Sequence, residues 1–183
     1  MTSQFLTYSA LAFCLTAGMI PLPVEATPSP PAVEIAQATT PLTEASVQAI
    51  VDQLQAARAN QDVEATLELI APFAVTVVTV ESGNGLSTVT TRLEGMDAHR
   101  QMLEQSFSQV ENRESLENYV TINIINDDFG IAEIYQMENF ETSGGEAWIA
   151  ASQTVLRLGR VDGQVMVTSA TVDGWISARP AQN

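Results

Sequence analysis

Residues 43–110, TEASVQAIVDQLQAARANQDVEATLELIAPFAVTVVTVESGNGLSTVTTRLEGMDAHRQMLEQSFSQV, pass from a helical hydrophobic period to a strand-like run and back. Val47, Ile50, Val51 and Leu54 recur at the three- and four-residue spacing of an amphipathic helix, and Asn60, Gln61 and Asp62 interrupt it. Asp62 is placed to cap a second helix with Val63, Leu67 and Ile70 on one face, which Pro72 is expected to end because it cannot continue the hydrogen-bond ladder. Residues 73–81, dominated by valine and threonine, read as a strand bounded by Ser82, Gly83, Asn84 and Gly85, and residues 86–93 read as the strand that follows. Gly95 begins a third helix in which His99, Leu103, Phe107 and Val110 share a face, while Arg100, Glu104 and Glu111 lie away from it.

Beyond this stretch, strands return after Ser115. Three turn signals, at residues 126–130, 143–145 and 161–163, divide residues 119–172 into four antiparallel strands joined as a meander. Ile122, Ile124, Ile125 and Ile134 imply burial on both faces of those strands. On the N-terminal side, Pro21, Pro23, Pro28, Pro30, Pro31 and Pro41 stand among small residues, the composition of a linker without a packed core. The expected organisation is a leader and the start of the linker over residues 1–38, linker over 39–42, one folded domain over 43–176 and a flexible tail over 177–183.

Residues 5–20, FLTYSALAFCLTAGMI, are apolar, uncharged and closed by Pro21, and are short of the roughly 20 residues that span a bilayer. They read as a signal-peptide core without the usual basic leading region, and an uncleaved anchor is the alternative. Small-residue cleavage patterns end at Ala26 and Ala38, so the mature chain is expected to start near Thr27 or Thr39. Export to the periplasm or the exterior follows, with no stable membrane insertion once the leader is removed. Cys14 is the sole cysteine and lies in the leader, so the mature chain would hold no disulfide, thiolate nucleophile or cysteine metal site.

All seven basic residues are arginine, against 22 acidic residues and a formal net charge of −15. The absence of lysine excludes Schiff-base chemistry and a phosphate-loop lysine. Nucleic acid is not an expected partner, since its binding rests on clustered basic contacts to phosphate. The acidic surface keeps an exported protein soluble and dispersed.

Three segments carry a family resemblance. Gln61-Asp62-Val63-Glu64-Ala65 is similar to a helix entry in which glycine, aspartate, a hydrophobic residue, an acid and alanine follow one another, with Gln61 in place of the glycine. Leu93-Glu94-Gly95-Met96-Asp97-Ala98-His99 resembles a strand end and helix start, and Thr154 to Leu158 with Asp162 to Val165 resembles a closing hairpin. Together with the order of elements they resemble the nuclear transport factor 2-like superfamily, in its SnoaL-like and ketosteroid-isomerase-like cone form. The resemblance implies an α+β fold: three helices packed on a strongly curved, mainly antiparallel mixed sheet, with an apolar pocket open at one end. It also implies a homodimer whose sheets pair face to face. The superfamily holds isomerases, dehydratases, hydrolases and cyclases beside non-catalytic domains, so fold does not choose the function.

Isomerase chemistry requires a carboxylate base on the first strand and two acidic hydroxyl groups to hold an enolate oxygen. Carried onto this chain, the base position falls on or beside Val78, in a run without a carboxylate, the helix-one tyrosine near Leu54 and the third position near Ala151, so the expected polar roles fall on apolar side chains. No residue is therefore assigned a catalytic role with confidence. His99, the sole histidine, is the candidate base or ligand-orienting group, set against a structural role in the core. His99, Tyr135, Trp148 and Gln153 are the expected ligand-binding set, Trp175 being a further aromatic that core or dimer packing explains equally. Asp127 and Asp128 read as a solvated hairpin tip rather than a calcium loop, and one histidine without cysteine argues against a transition-metal site. Glu133, Glu138 and Glu141 lie on one strand and its end without a readable pairing.

No cofactor is expected. The reading that results is an exported domain that binds a small apolar molecule or a protein partner without catalysis, as a homodimer. The alternatives are a cyclase, dehydratase or hydrolase using His99, and a purely structural dimerisation domain.

Overall fold

The computed structural model describes residues 41–83 and 85–179. The leader, its cleavage patterns, Cys14, most of the linker and the last residues of the tail lie outside the described residues.

Helix α1 (Glu44–Ala59) starts at a reciprocal cap: the Thr43 hydroxyl accepts from the Ser46 N–H at 3.2 Å, and the Ser46 hydroxyl accepts from the Thr43 N–H at 3.0 Å. Helix α2 (Val63–Leu67) is capped as expected, the Asp62 carboxylate accepting from the Ala65 N–H at 3.0 Å. It ends well before Pro72, and strand β1 (Ile70–Ser82) begins in the place where the helix was expected to continue. Pro72 sits inside that strand, exposed, where the β1 register slips between Ile70 and Val75. A bulge needs no ladder N–H from the proline, so the residue that should stop a helix is accommodated in a strand.

Strand β2 (Thr88–Glu94) pairs antiparallel with β1, and helix α3 (Gly95–Gln109) follows at once, Gly95 taking φ +74°. Val110 is the first residue of strand β3 (Val110–Asn126) rather than the last of the helix face. The polar run from Glu111 to Ser115 hides this strand from pattern reading, because it forms a sheet edge with bulges that free it from strict alternation. Strands β4 (Phe129–Thr142), β5 (Ala147–Val161) and β6 (Gln164–Ala178) complete the meander, with turns at the three signalled places.

The sheet is mixed, curved and unclosed, in the order β2-β1-β6-β5-β4-β3, with β1 and β6 parallel and every other pair antiparallel. This is the expected α+β architecture. Registered neighbours share a face, so the pairing sorts every strand residue into one facing the helices and one facing away. On the inner face, Ala132, Ile134, Leu156, Leu158, Val167 and Ala170 pack with Val47, Val51 and Leu42 as one core. Val47 and Val51 are fully buried, each contributing about 1.5–3 kcal/mol in removal from water. Leu67, Leu103 and Phe107 form a second, separate core where α2 meets α3.

Two domain boundaries shift. Leu42, assigned to the linker, is 4% exposed, donates its N–H to the Asp127 carbonyl at 2.6 Å and belongs to the core. At the other end β6 runs to Ala178, two residues past the expected limit of the domain.

Candidate functional site

The inner face of the sheet is sealed at one end and half open at the other. The cross-sheet row Thr76, Ala170, Leu156 and Ala132 is buried throughout. Toward the β1–β2 turn the rows pass through Val78, Val172, Thr154 and Ile134, then Val80, Gly174, Ser152 and Gln136, and finally reach Phe140 and Trp148, which are half buried. The result is a concave surface of mainly apolar character that the helices cover fully only at the sealed end.

His99 lies at the sealed end, 2% exposed, with both ring nitrogens engaged. Nδ1 donates to the Gly95 carbonyl at 2.7 Å, since a carbonyl can only accept. In the neutral imidazole that leaves Nε2 as the acceptor for the Thr76 hydroxyl at 2.8 Å. The histidine thus ties α3 to β1, and neither nitrogen is left for a substrate proton.

Of the four residues expected to bind a ligand, only Trp148 stands on the half-open part of the inner face. Tyr135 and Gln153 are registered neighbours on the opposite, outward face, both exposed. Tyr135 stacks there on Tyr119 with ring centroids 6.1 Å apart. The structure therefore does not bring His99, Tyr135, Gln153 and Trp148 into one site; strand parity separates them. Parity also moves the third isomerase position, because Ala151 faces outward with Met137 and Trp175, and its inward neighbours are Ala150 and Ser152. Val78 does face inward, so the position where a base would stand is apolar and buried.

Sequence reasoning missed the polar cluster that the inner face contains. Arg58, at the end of α1, donates to the side-chain amide oxygen Oε1 of Gln136 and, at 2.8 Å, to Glu138 Oε1. Arg113 on β3 places Nη1 3.5 Å from Glu138 Oε2 without a hydrogen bond. Glu138, with a side chain only 9% exposed, is thereby a carboxylate held between two guanidinium groups. Removing Glu138 is the costly change at this cluster, because it would leave two part-buried guanidinium groups without their shared carboxylate. Burial first, and then the like charge of Arg58, hold the Arg113 guanidinium below its ordinary pKa, against the opposing pull of Glu138. The signal was present: Arg58 continues the stripe of Val47, Val51 and Leu54, and Glu138 shares the parity of Ala132 and Ile134. Glu133 and Glu141 have the other parity and are exposed, so the three glutamates form no cluster.

Among the described residues no group of three histidine, cysteine, aspartate or glutamate side chains is placed to hold a metal ion, and no helix is long and apolar enough to cross a membrane. The hairpin tip at Asp127 and Asp128 is occupied with the fold itself: the Asp127 carbonyl takes the Leu42 N–H and the Asp128 carbonyl takes the Arg160 N–H.

No protein-family model and no curated protein matches the chain. Solved structures do. A ketosteroid isomerase-like protein from Erwinia carotovora atroseptica is 14% identical, with 71% of this chain and 94% of that one covered at a TM-score of 0.54. A hexachlorocyclohexane dehydrochlorinase from Novosphingobium barchaimii is 10% identical, with 70% and 83% covered and a TM-score of 0.55. A protein of unknown function from Pseudomonas putida, described as NTF2-like, is 12% identical, with 71% and 84% covered and a TM-score of 0.57. At such identities the likeness concerns the backbone rather than the chemistry. A six-stranded mixed sheet, the helices that cover it and these matches together establish that the chain has the cone fold of the nuclear transport factor 2-like and SnoaL-like proteins.

Proposed function

We propose that this is an exported domain that binds a small, largely apolar molecule on the half-open inner face of its sheet, without catalysis, and that it acts as a homodimer. The supporting observation is the state of the ionisable groups on that face. His99 has both nitrogens engaged, Val78 occupies the base position, and Glu138, the inward-facing strand carboxylate, is clamped by arginines. A general base needs a free lone pair within reach of the proton it takes; His99 and Val78 offer none, and Glu138 is committed to ion pairs with two arginines. A concave apolar surface with few fixed polar groups is, by contrast, the common form of a small-molecule site.

The outward face supports self-association. Tyr119, Tyr135 and Trp175 are exposed on it, with Met137 and Ile149 beside them, an apolar patch on a water-facing sheet. Export rests on the apolar run over residues 5–20 and the small-residue cleavage patterns behind it.

Native mass spectrometry of the protein purified from the exported fraction of its own cells tests the reading. A retained small molecule on a dimer is the expected result. A bare chain that retains nothing and turns over a substrate in an activity screen would overturn it.

A further inference from the structure

We infer that the half-open end of the inner face holds the carboxylate head of an otherwise apolar ligand, through Arg113 and Trp148. The inference rests on the ligand-binding reading above and adds the class of ligand.

Arg113 Nη1 and Trp148 Nε1 are buried N–H groups with no hydrogen-bond partner. Unpaired buried donors are rare in folded chains, and each calls for an acceptor that a ligand can supply. These two belong to the same place. Arg113 is registered with Phe140 and Phe140 with Trp148, so all three rise from the inner face in one row across β3, β4 and β5. With strands about 4.8 Å apart, Arg113 and Trp148 start roughly 10 Å from each other, a span that one ligand head above Phe140 bridges.

Charge points the same way. Arg58 and Arg113 share one carboxylate, Glu138, and the Gln136 amide that completes the set is neutral. The cluster therefore carries one uncompensated positive charge inside a chain whose formal net charge is −15. A ligand with a single negative charge would compensate it, and a planar carboxylate matches the donor geometry of a guanidinium. A phosphate monoester, with close to two negative charges, would overcompensate it. For the rest of the ligand the same face offers Phe140, Ala150, Ile176 and Val80, half buried, with Ser152 and Gln136 among them. Burial first, and then the like charge of Arg58, lowers the proton affinity of Arg113, and a bound carboxylate would act against that shift.

The chain has two tryptophans, so Trp175→Phe leaves Trp148 as the one fluorescent reporter. Three acids, benzoate, 1-naphthoate and dodecanoate, are titrated against their neutral counterparts benzyl alcohol, 1-naphthylmethanol and 1-dodecanol. The expected result is a change in Trp148 emission with at least one acid binding about tenfold or more tightly than its alcohol, the scale of a hydrogen bond to a charged group. Added salt should narrow that difference, and Arg113→Met should bring acid and alcohol to the same affinity while the apolar stem still packs. If alcohols bind as tightly as acids in the parent protein, the carboxylate inference falls and the ligand-binding reading stands. If none of the six probes perturbs Trp148, both fall. The comparison of acid with alcohol in the parent protein decides the matter even if Arg113→Met does not fold.

Discussion

His99 Nε2 and the Thr76 hydroxyl meet at 2.8 Å in a buried row of the inner face, joining α3 to β1, the strand that pairs with β6. Thr76→Val keeps the shape and removes the hydroxyl, leaving the ring nitrogen buried without a partner. The expected loss is about 1–3 kcal/mol of stability, read as a lower denaturation midpoint at an unchanged slope. Binding of apolar probes at the other end of the face should be unchanged. A loss of binding with no loss of stability would make His99 part of the ligand site.

Arg100 and Glu64 form a two-pronged contact between α3 and α2, one bond at 2.9 Å and a second from Nη1 to Oε1. The hydrogen bonds from Arg100 hold the Glu64 carboxyl below its usual value of 4.5. A depressed carboxylate contributes stability above its unfolded pKa and loses it as pH falls through the folded one. Glu64→Gln should therefore lie below the parent protein in stability at neutral pH and converge with it in acid. Thermal melts across that range check it; a gap that persists in acid would show that packing, not ionisation, is responsible.

Gln61 adopts φ +55°, and its side-chain amide donates to the Val110 carbonyl at 2.8 Å. The left-handed backbone costs a side-chain-bearing residue about 1–2 kcal/mol, which glycine avoids. Gln61→Ala keeps the strain and loses the bond, so it should destabilise by about 1 kcal/mol. Gln61→Gly should recover most of that loss. Equal stability for the two variants would show that the backbone strain is absent.

Tyr135 stands on the outward face, stacked on Tyr119 and registered with Gln153. If that face joins two copies, Tyr135→Glu should convert dimer to monomer in size-exclusion chromatography with light scattering, with the near-ultraviolet circular dichroism of the fold retained. A parent protein that is monomeric at micromolar concentration removes the interface.

Much of the architecture was legible because its carriers are periodic. The stripe of Val47, Val51 and Leu54, the face of His99, Leu103 and Phe107, and the turns around Asn126, Gly144 and Gly163 each announce an element locally. The errors fell where a bulge breaks periodicity. Pro72 looked like a helix stop and is a strand residue at a slipped register, and Val110 and Glu111 looked helical, with strands expected only after Ser115, although they begin an edge strand. The site was less legible for one reason, parity. Aromatic character nominated Tyr135 and Trp148 together, although their positions on β4 and β5 put them on opposite faces. Arg58, Arg113 and Glu138 come together only when α1 is laid across the sheet, and their separation in the chain leaves no local motif.

The last strand of the described residues, β6, is an interior strand of the sheet. β6 lies between β1 and β5, and its parallel pairing joins Ile70 to Val167 across most of the domain. The β1–β2 hairpin therefore has no sheet to join until β6 has been made, and long-range parallel pairing is slow even then. Removal of β6 should leave two unjoined pieces rather than a smaller domain. During synthesis the same order of assembly delays completion of the sheet until β6 has emerged.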